Sequence, residues 1–386
     1  MVPPLITLEE HYFSTAIGSA LDDKHVEQFK AIPGLEDKLK DLGDLRLSYM
    51  EKGKVSLQVI SHGPGTLTPH QCRDANNQLA SAVQKNKTRF AGFAVLPMSD
   101  PEAAASELER TVTQHGFVGA LIDCHVNGRY YDGSEYEPFW RKAEKLDVPI
   151  YIHPTWPSED MAPRYTGNFT DGASRSLSAS GWGWHNEVAL HTLRLFASGI
   201  FDKCPKLKVI IGHFGEMIPF MLDRITKLSV RWGDQQRKWK TVWDENIWIT
   251  TSGVWSLDPM RCILGNTRIE HILYSVDYPF EKNENGLKWM EELEETLHPD
   301  ARRGEDGNDI SSASGALDKS PPLKATSTHD DDSPEDCDSY CEGHSLGVPI
   351  ESSTFHQADH ARDDSYAFTP PFAQPKVWQA QYPQRV

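Results

Sequence analysis

The stretch LITLEEHYFS, residues 5–14, closes an apolar run on two acids and a histidine. Glu9 and His11 lie two apart, so on a strand they point to the same side, and a carboxylate beside an imidazole is a pair that a metal ion takes. The plain alternative is a strand running out into solvent, where charges belong. Three other short stretches end in similar residues: YIHPTWP with His153, IIGHFGE with His213 and Glu216, and YSVDYPF with Asp277. Each has an ordinary reading as well. His153 could be a satisfied core histidine, His213 the end of a strand, Asp277 the opening of a turn and Glu216 a charge at a helix start. Jointly, Glu9, His11, His153 and Asp277 supply two nitrogens and two carboxylate oxygens, a set that suits Zn2+, Mn2+ or Fe2+ better than Ca2+ or Mg2+. Glu10 points opposite to Glu9 and reads as structural.

Such residues need elements that bring them together. Apolar runs recur at 5–10, 55–61, 90–96, 118–124, 149–153, 207–212, 247–251 and 272–276, several of them near-continuous in Val, Ile and Leu, as buried parallel strands are. Amphipathic segments lie between them. DPEAAASELERTVTQHG offers Asp100 as cap, Pro101 in the first turn and Gly116 as stop. SEYEPFWRKAEKLD and WHNEVALHTLRLFASG also show helical spacing. Eight strand–helix alternations predict a (β/α)8 TIM barrel, whose carboxyl strand ends converge on one catalytic rim. A doubly wound open sheet is the alternative, but no glycine-rich phosphate turn follows the first run. Two inserts, 12–53 and 154–183, are long enough to shape a pocket at that rim.

The chain has 386 residues and a formal net charge of −17, which speaks against a nucleic-acid partner. No stretch approaches the ~18–20 consecutive apolar residues of a membrane span, and no secretory signal opens the chain. The six cysteines show no paired CxxC spacing and read as reduced thiols in the cytoplasm. Cys337 and Cys341 could pair or bind metal, but they sit in a polar segment. From His298 onward there are 16 acids against 7 Lys and Arg, with HDDDSPEDCDS at the centre. Residues 1–297 are therefore expected to form the barrel and 298–386 an acidic, Ser/Pro-rich, disordered tail.

The stretches LEEHY, NGRYYD, VPIYIHPTWP, WGWHNEVALHTLRLFASGIFDKCPKLKVIIGHFGEMIPFMLDRI, ITTSGVW and YSVDYPFE together resemble the decarboxylase branch of the amidohydrolase superfamily. This branch holds the metal-dependent, non-oxidative decarboxylases of hydroxybenzoates and their relative aminocarboxymuconate-semialdehyde decarboxylase. The resemblance implies one divalent metal, Zn2+ or Mn2+, held by Glu9, His11, His153 and Asp277. It implies a homodimer or homotetramer acting on a small aromatic carboxylic acid, and a carboxy-lyase reaction with Asp277 as proton donor. His213 matches the active-site histidine of the family, oriented by Glu216, and Arg224 an arginine that fixes substrate at a subunit contact. Trp156, Tyr278 and Phe280 are expected to line the pocket. Two-metal relatives carry His-x-His on strand one and a carboxylated lysine ending strand four. Here those places read Glu-x-His and GALIDCHVNG, which points to a single metal. A single-metal hydrolase of a lactone or amide, and a catalytically dead scaffold, are the competing readings.

The resemblance fades after Glu295, where relatives finish the last helix and a short helical terminus. Here the chain turns polar, as a lineage-specific tail or a wrongly assigned gene end would. If the tail has no structural role, a chain cut after Thr296 will melt at the same temperature as the full chain and match its activity. A lower melting point would show that the tail supports the barrel.

Overall fold

The eight apolar runs form eight strands: β1 (Leu5–Tyr12), β2 (Val55–His62), β3 (Phe90–Ala94), β4 (Gly119–Asp123), β5 (Ile150–His153), β6 (Val209–Ile211), β7 (Ile247–Thr250) and β8 (Ile272–Leu273). Each pairs in parallel with the next, so the sheet order is the sequence order. A doubly wound sheet would reverse its order at a switch point, and this one does not. The structure, a computed structural model, describes residues 4–17 and 32–297. The tail expected over 298–386, with Cys337 and Cys341, lies outside the described residues.

Helices return the chain between strands. The first insert carries α1 (Leu35–Lys40) and α2 (Asp44–Lys52), and α3 (Pro69–Lys85), α4 (Pro101–His115) and α5 (Glu137–Leu146) follow. The second insert carries a helical turn at Ala162–Tyr165 and α6 (Asp171–Ser178), and leads into α7 (Gly183–Ala197). The round closes with α8 (Ile218–Leu228), α9 (Trp239–Asn246), α10 (Leu257–Asn266) and α11 (Asn283–Leu297). The α4 signals work as their chemistry requires. Asp100 accepts the Ala103 N–H at 3.0 Å, and Gly116 takes the left-handed conformation that ends the helix. No helix among the described residues is long and apolar enough to cross a membrane. The described cysteines, Cys72, Cys124, Cys204 and Cys262, are free.

Alternation along the strands divides the core. Leu8, Val59, Phe93, Leu121, Tyr151, Ile210, Trp248 and Leu273 fill the barrel interior. Their neighbours Ile60, Ile122, Ile150, Ile152, Val209 and Ile211 pack outward among the helices. Tyr151 is thus an interior residue two places before His153, on the same face of β5.

The strand ladder runs from β1 to β8, and side chains close the seam between its ends. β8 is shorter than the run 272–276 because Ser275 and Val276 give their backbone N–H groups to side chains: Ser275 to Thr251 Oγ1 at 3.4 Å, Val276 to Glu10 Oε1 at 3.1 Å. Glu10 Oε2 also accepts from Tyr278 N and from Gln58 Nε2, each at 3.2 Å. Leu8 N–H reaches Ser275 Oγ, and His11 N–H reaches the Tyr278 carbonyl at 2.7 Å. Burial pushes the Glu10 carboxyl up to about 8, while the Val276 N–H and the charge of Arg46 pull the other way. Arg46, fully buried on α2, joins the first insert to the same seam through the His11 carbonyl and Gln58 Oε1. Above about pH 8, where Glu10 is a carboxylate, Glu10→Gln turns an N–H2 group toward donors and leaves a buried N–H unpaired, at a cost of about 2 kcal/mol. Urea unfolding of the metal-free protein will read this as a lower midpoint. An unchanged midpoint would remove Glu10 from the seam.

Candidate active site

The side chains at the carboxyl strand ends gather around Glu9. It is fully buried, and its Oε1 has no hydrogen-bond partner among the described residues. His153 Nε2 lies 3.5 Å from that oxygen and His213 Nε2 3.8 Å. The other oxygen, Oε2, accepts the Tyr151 hydroxyl in a short hydrogen bond and the Thr250 hydroxyl at 3.4 Å. His11 Nε2, also buried, is likewise without a hydrogen-bond partner among the described residues. It lies 3.2 Å from Asp277 Oδ1.

Glu9, His11 and His153 form one group whose ligand atoms all lie within 4.8 Å of one another. Asp277 stands beside that group, against His11, and its side chain is 19% exposed. Buried donor atoms gathered this closely, two of them without a hydrogen bond, fit a cation, because unpaired buried polar groups are otherwise costly. The ring chemistry agrees. The His153 Nδ1–H donates to the Pro154 carbonyl at 2.7 Å, which leaves Nε2 as a lone-pair donor facing Glu9. Burial holds His11 down to about 4 and His153 down to about 3, so both imidazoles stay neutral, as ligands are. Burial would raise the Glu9 carboxyl, but the charge of the neighbouring His213 keeps it below its ordinary value. Burial and the Glu9 charge push Asp277 well above the usual carboxylate range, toward the protonated form.

His213 and Glu216 belong to a loop in an unusual conformation. His213, Phe214, Gly215, Glu216 and Met217 all have positive φ, between 49° and 87°. Left-handed backbone costs ~1–2 kcal/mol for each non-glycine residue. Hydrogen bonds hold the loop, from Phe214 N–H to the Thr250 carbonyl at 2.8 Å and from Gly215 N–H to the Gly212 carbonyl at 2.7 Å. Within it, the His213 Nδ1–H meets Glu216 Oε1 at 2.7 Å. Burial would lower His213, but the Glu216 and Glu9 charges raise it to about 10. Gly212 allows the approach. A Cβ there would sit 2.9 Å from the Tyr151 hydroxyl, 3.2 Å from Glu216 Oε1 and 3.5 Å from Glu9 Oε1.

The expected pocket aromatics divide. Phe280 stands edge-on to His11, with ring centroids 5.9 Å apart. Trp156 packs against Trp184 of α7 at 5.3 Å. The Tyr278 ring lies under the Arg46 guanidinium, 4.9 Å from it, and beside Tyr49, while its backbone N–H goes to Glu10 in the seam. Arg224 is exposed on α8 of the single chain. Four residues around the site were not singled out from sequence. Tyr151 could have been found, since period-two spacing puts it on the His153 face. Arg46, Thr250 and His185 carry no such signal, because their roles come from contacts across the fold.

Residues 11–304 match the family model described as amidohydrolase. The decarboxylase orsB of Emericella nidulans is 53% identical over 301 residues, which cover 76% of this chain and 91% of that one. Among solved structures, a 2,6-dihydroxybenzoate decarboxylase complexed with 2,6-dihydroxybenzoate superposes with a TM-score of 0.66 at 32% identity, covering 75% of this chain and 93% of that one. A dihydroxybenzoic acid decarboxylase from Polaromonas sp. JS666, with bound manganese and the inhibitor 2-nitroresorcinol, superposes at 0.65 with 35% identity, covering 75% and 91%. These strand-end residues therefore sit on a shared scaffold, and the chain belongs to the amidohydrolase family.

Proposed function

We propose that the protein is a metal-dependent, non-oxidative decarboxylase that releases CO2 from an ortho-hydroxylated aromatic acid. The observation that carries the reading is the pair of buried atoms without a hydrogen bond, Glu9 Oε1 and His11 Nε2, with the Asp277 carboxyl 3.2 Å from the second. Decarboxylases with bound manganese or dihydroxybenzoate on the same fold support it. Glu9, His11 and His153 would hold one divalent ion, Mn2+ or Zn2+, with Asp277 completing the set. When bound, the ion would supply Lewis-acid chemistry for the negatively charged oxygens of the substrate.

An arene carboxylate does not lose CO2 directly, because the departing electron pair would stay in the ring plane. Asp277 solves this by giving its proton to the ring carbon that bears the carboxylate. A C–H bond forms as the Asp277 O–H bond breaks, and the ring becomes dienone-like. The C–C bond to the carboxylate then breaks, its electron pair restores aromaticity, and CO2 leaves. Asp277 takes its proton from the substrate hydroxyl on binding, is a carboxylate again once the ring carbon is protonated, and the product phenolate takes its proton from water. His213, charged and anchored on Glu216, steadies the negative oxygen meanwhile. Trp156 and Phe280 supply apolar walls for the ring.

The partner is a small acid rather than nucleic acid or membrane, and the enzyme works in the cytoplasm. It assembles as a homodimer or homotetramer through the α8 face, where Phe220 is 84% exposed near Arg224.

A panel of ortho-hydroxybenzoates with CO2 detection tests the reading. At least one acid will release CO2, metal removal will abolish this, and Mn2+ or Zn2+ will restore it. Hydrolysis of a lactone or amide without CO2 would favour the hydrolase reading instead. Asp277→Asn and His213→Ala will each lower kcat by about 10²–10⁴-fold. Tyr151→Phe removes the shorter of the two hydroxyl hydrogen bonds on Glu9 Oε2 and will weaken metal affinity about tenfold, measured by titrating Mn2+ into metal-free protein.

A further inference from the structure

Glu216 serves two histidines. Its Oε1 takes the His213 Nδ1–H, and its Oε2 lies 2.7 Å from His185 Nδ1, in the first turn of α7. The other His185 nitrogen, Nε2, lies 2.9 Å from the Ser180 carbonyl, so the ring is held at both ends. The two rings stand edge to face, with centroids 4.6 Å apart. Burial would raise the Glu216 carboxyl. The His213 charge, with hydrogen bonds from His185 and His213, overcomes this and holds it at about 2.

A carboxylate with one partner turns broadly about its last bond, because terminal sp³–sp² torsions have shallow wells. A donor on each oxygen leaves Glu216 one plane. That plane sets which His213 nitrogen carries the anchored proton and where the ring points. His213 Nε2 is thereby directed to the Glu9 side of the site. Phe214 and Met217, the other side chains of this left-handed loop, are apolar and cannot supply a donor to Oε2.

We propose that His185 is a positioning residue: by holding the second Glu216 oxygen, it fixes the plane of the carboxylate and so aims His213 Nε2 at the substrate. This rests on the decarboxylase reading above. His185, His213 and Glu216 are also close enough to gather a cation of their own. Against that, each Glu216 oxygen already has an imidazole partner at 2.7 Å.

The test compares His185→Ala, which removes the donor, with His185→Asn, whose amide N–H can occupy the Nδ1 position. Metal content is measured on each. His185→Ala will lower kcat about tenfold with KM within about twofold, and His185→Asn will recover most of the loss. In metal-free protein with 15N-labelled histidine, the downfield Nδ1–H proton of His213 is identified by its loss in His213→Ala. It will broaden or shift in His185→Ala and return in His185→Asn. If His185→Ala does not fold, His185→Gln, which fills the space but moves the donor off the Nδ1 position, replaces it in both measurements. Wild-type kcat with an unchanged downfield proton in the donor-less variant would overturn the proposal. So would His185→Asn performing no better than that variant, or a second metal equivalent that is lost when His185 is replaced. If the wild type releases CO2 from no acid tested, the decarboxylase reading fails, while the proton signal still decides whether His185 positions His213.

Discussion

Glu9 and Glu10 are neighbours, both fully buried, and β1 must turn them in opposite directions. Burying a carboxylate costs several kcal/mol unless donors or a cation answer it. The two are answered differently. Glu10 is surrounded by Val276 N–H, Tyr278 N–H, Ser275 Oγ and Gln58 Nε2, all of which donate to it. Glu9 has hydroxyls on one oxygen only, and its other oxygen faces imidazoles. One carboxylate is spent on joining the barrel's ends, and the other is left with a demand that only a ligand satisfies. A shift of one residue in β1 would exchange these roles and lose both.

The barrel was legible in the sequence because buried parallel strands are written as apolar runs and helix ends as caps such as Asp100 and Gly116. The strand-end residues Glu9, His11, His153 and His213 were legible because the fold itself says where a strand's last side chain goes. The pocket wall was less so. Tyr278 follows Asp277 in sequence, yet its backbone N–H is captured by Glu10 and its ring by Arg46. Adjacency along the chain does not report which way a side chain faces when long-range contacts decide it. Arg46 and His185 were invisible for the same reason. Each acts through a partner more than 30 residues distant.

The loop from His213 to Met217 shows how a site can be held against its own backbone. Four of its five residues carry a side chain in a conformation that favours glycine. The conformation persists because the flanking chain is tied to β7 at Thr250 and because His213 and Glu216 bond within the loop. Strain of this kind collects at functional positions, where surrounding structure over-determines the geometry.

The Tyr151 hydroxyl, Glu216 and Glu9 crowd Gly212 so closely that a methyl group there would press on all three. The cation-binding half of the site and the histidine-anchoring half therefore share a party wall. Neither half can be redesigned by itself: a bulkier residue admitted to widen one side would push into the other, and selection for a new ring substituent has to move both together.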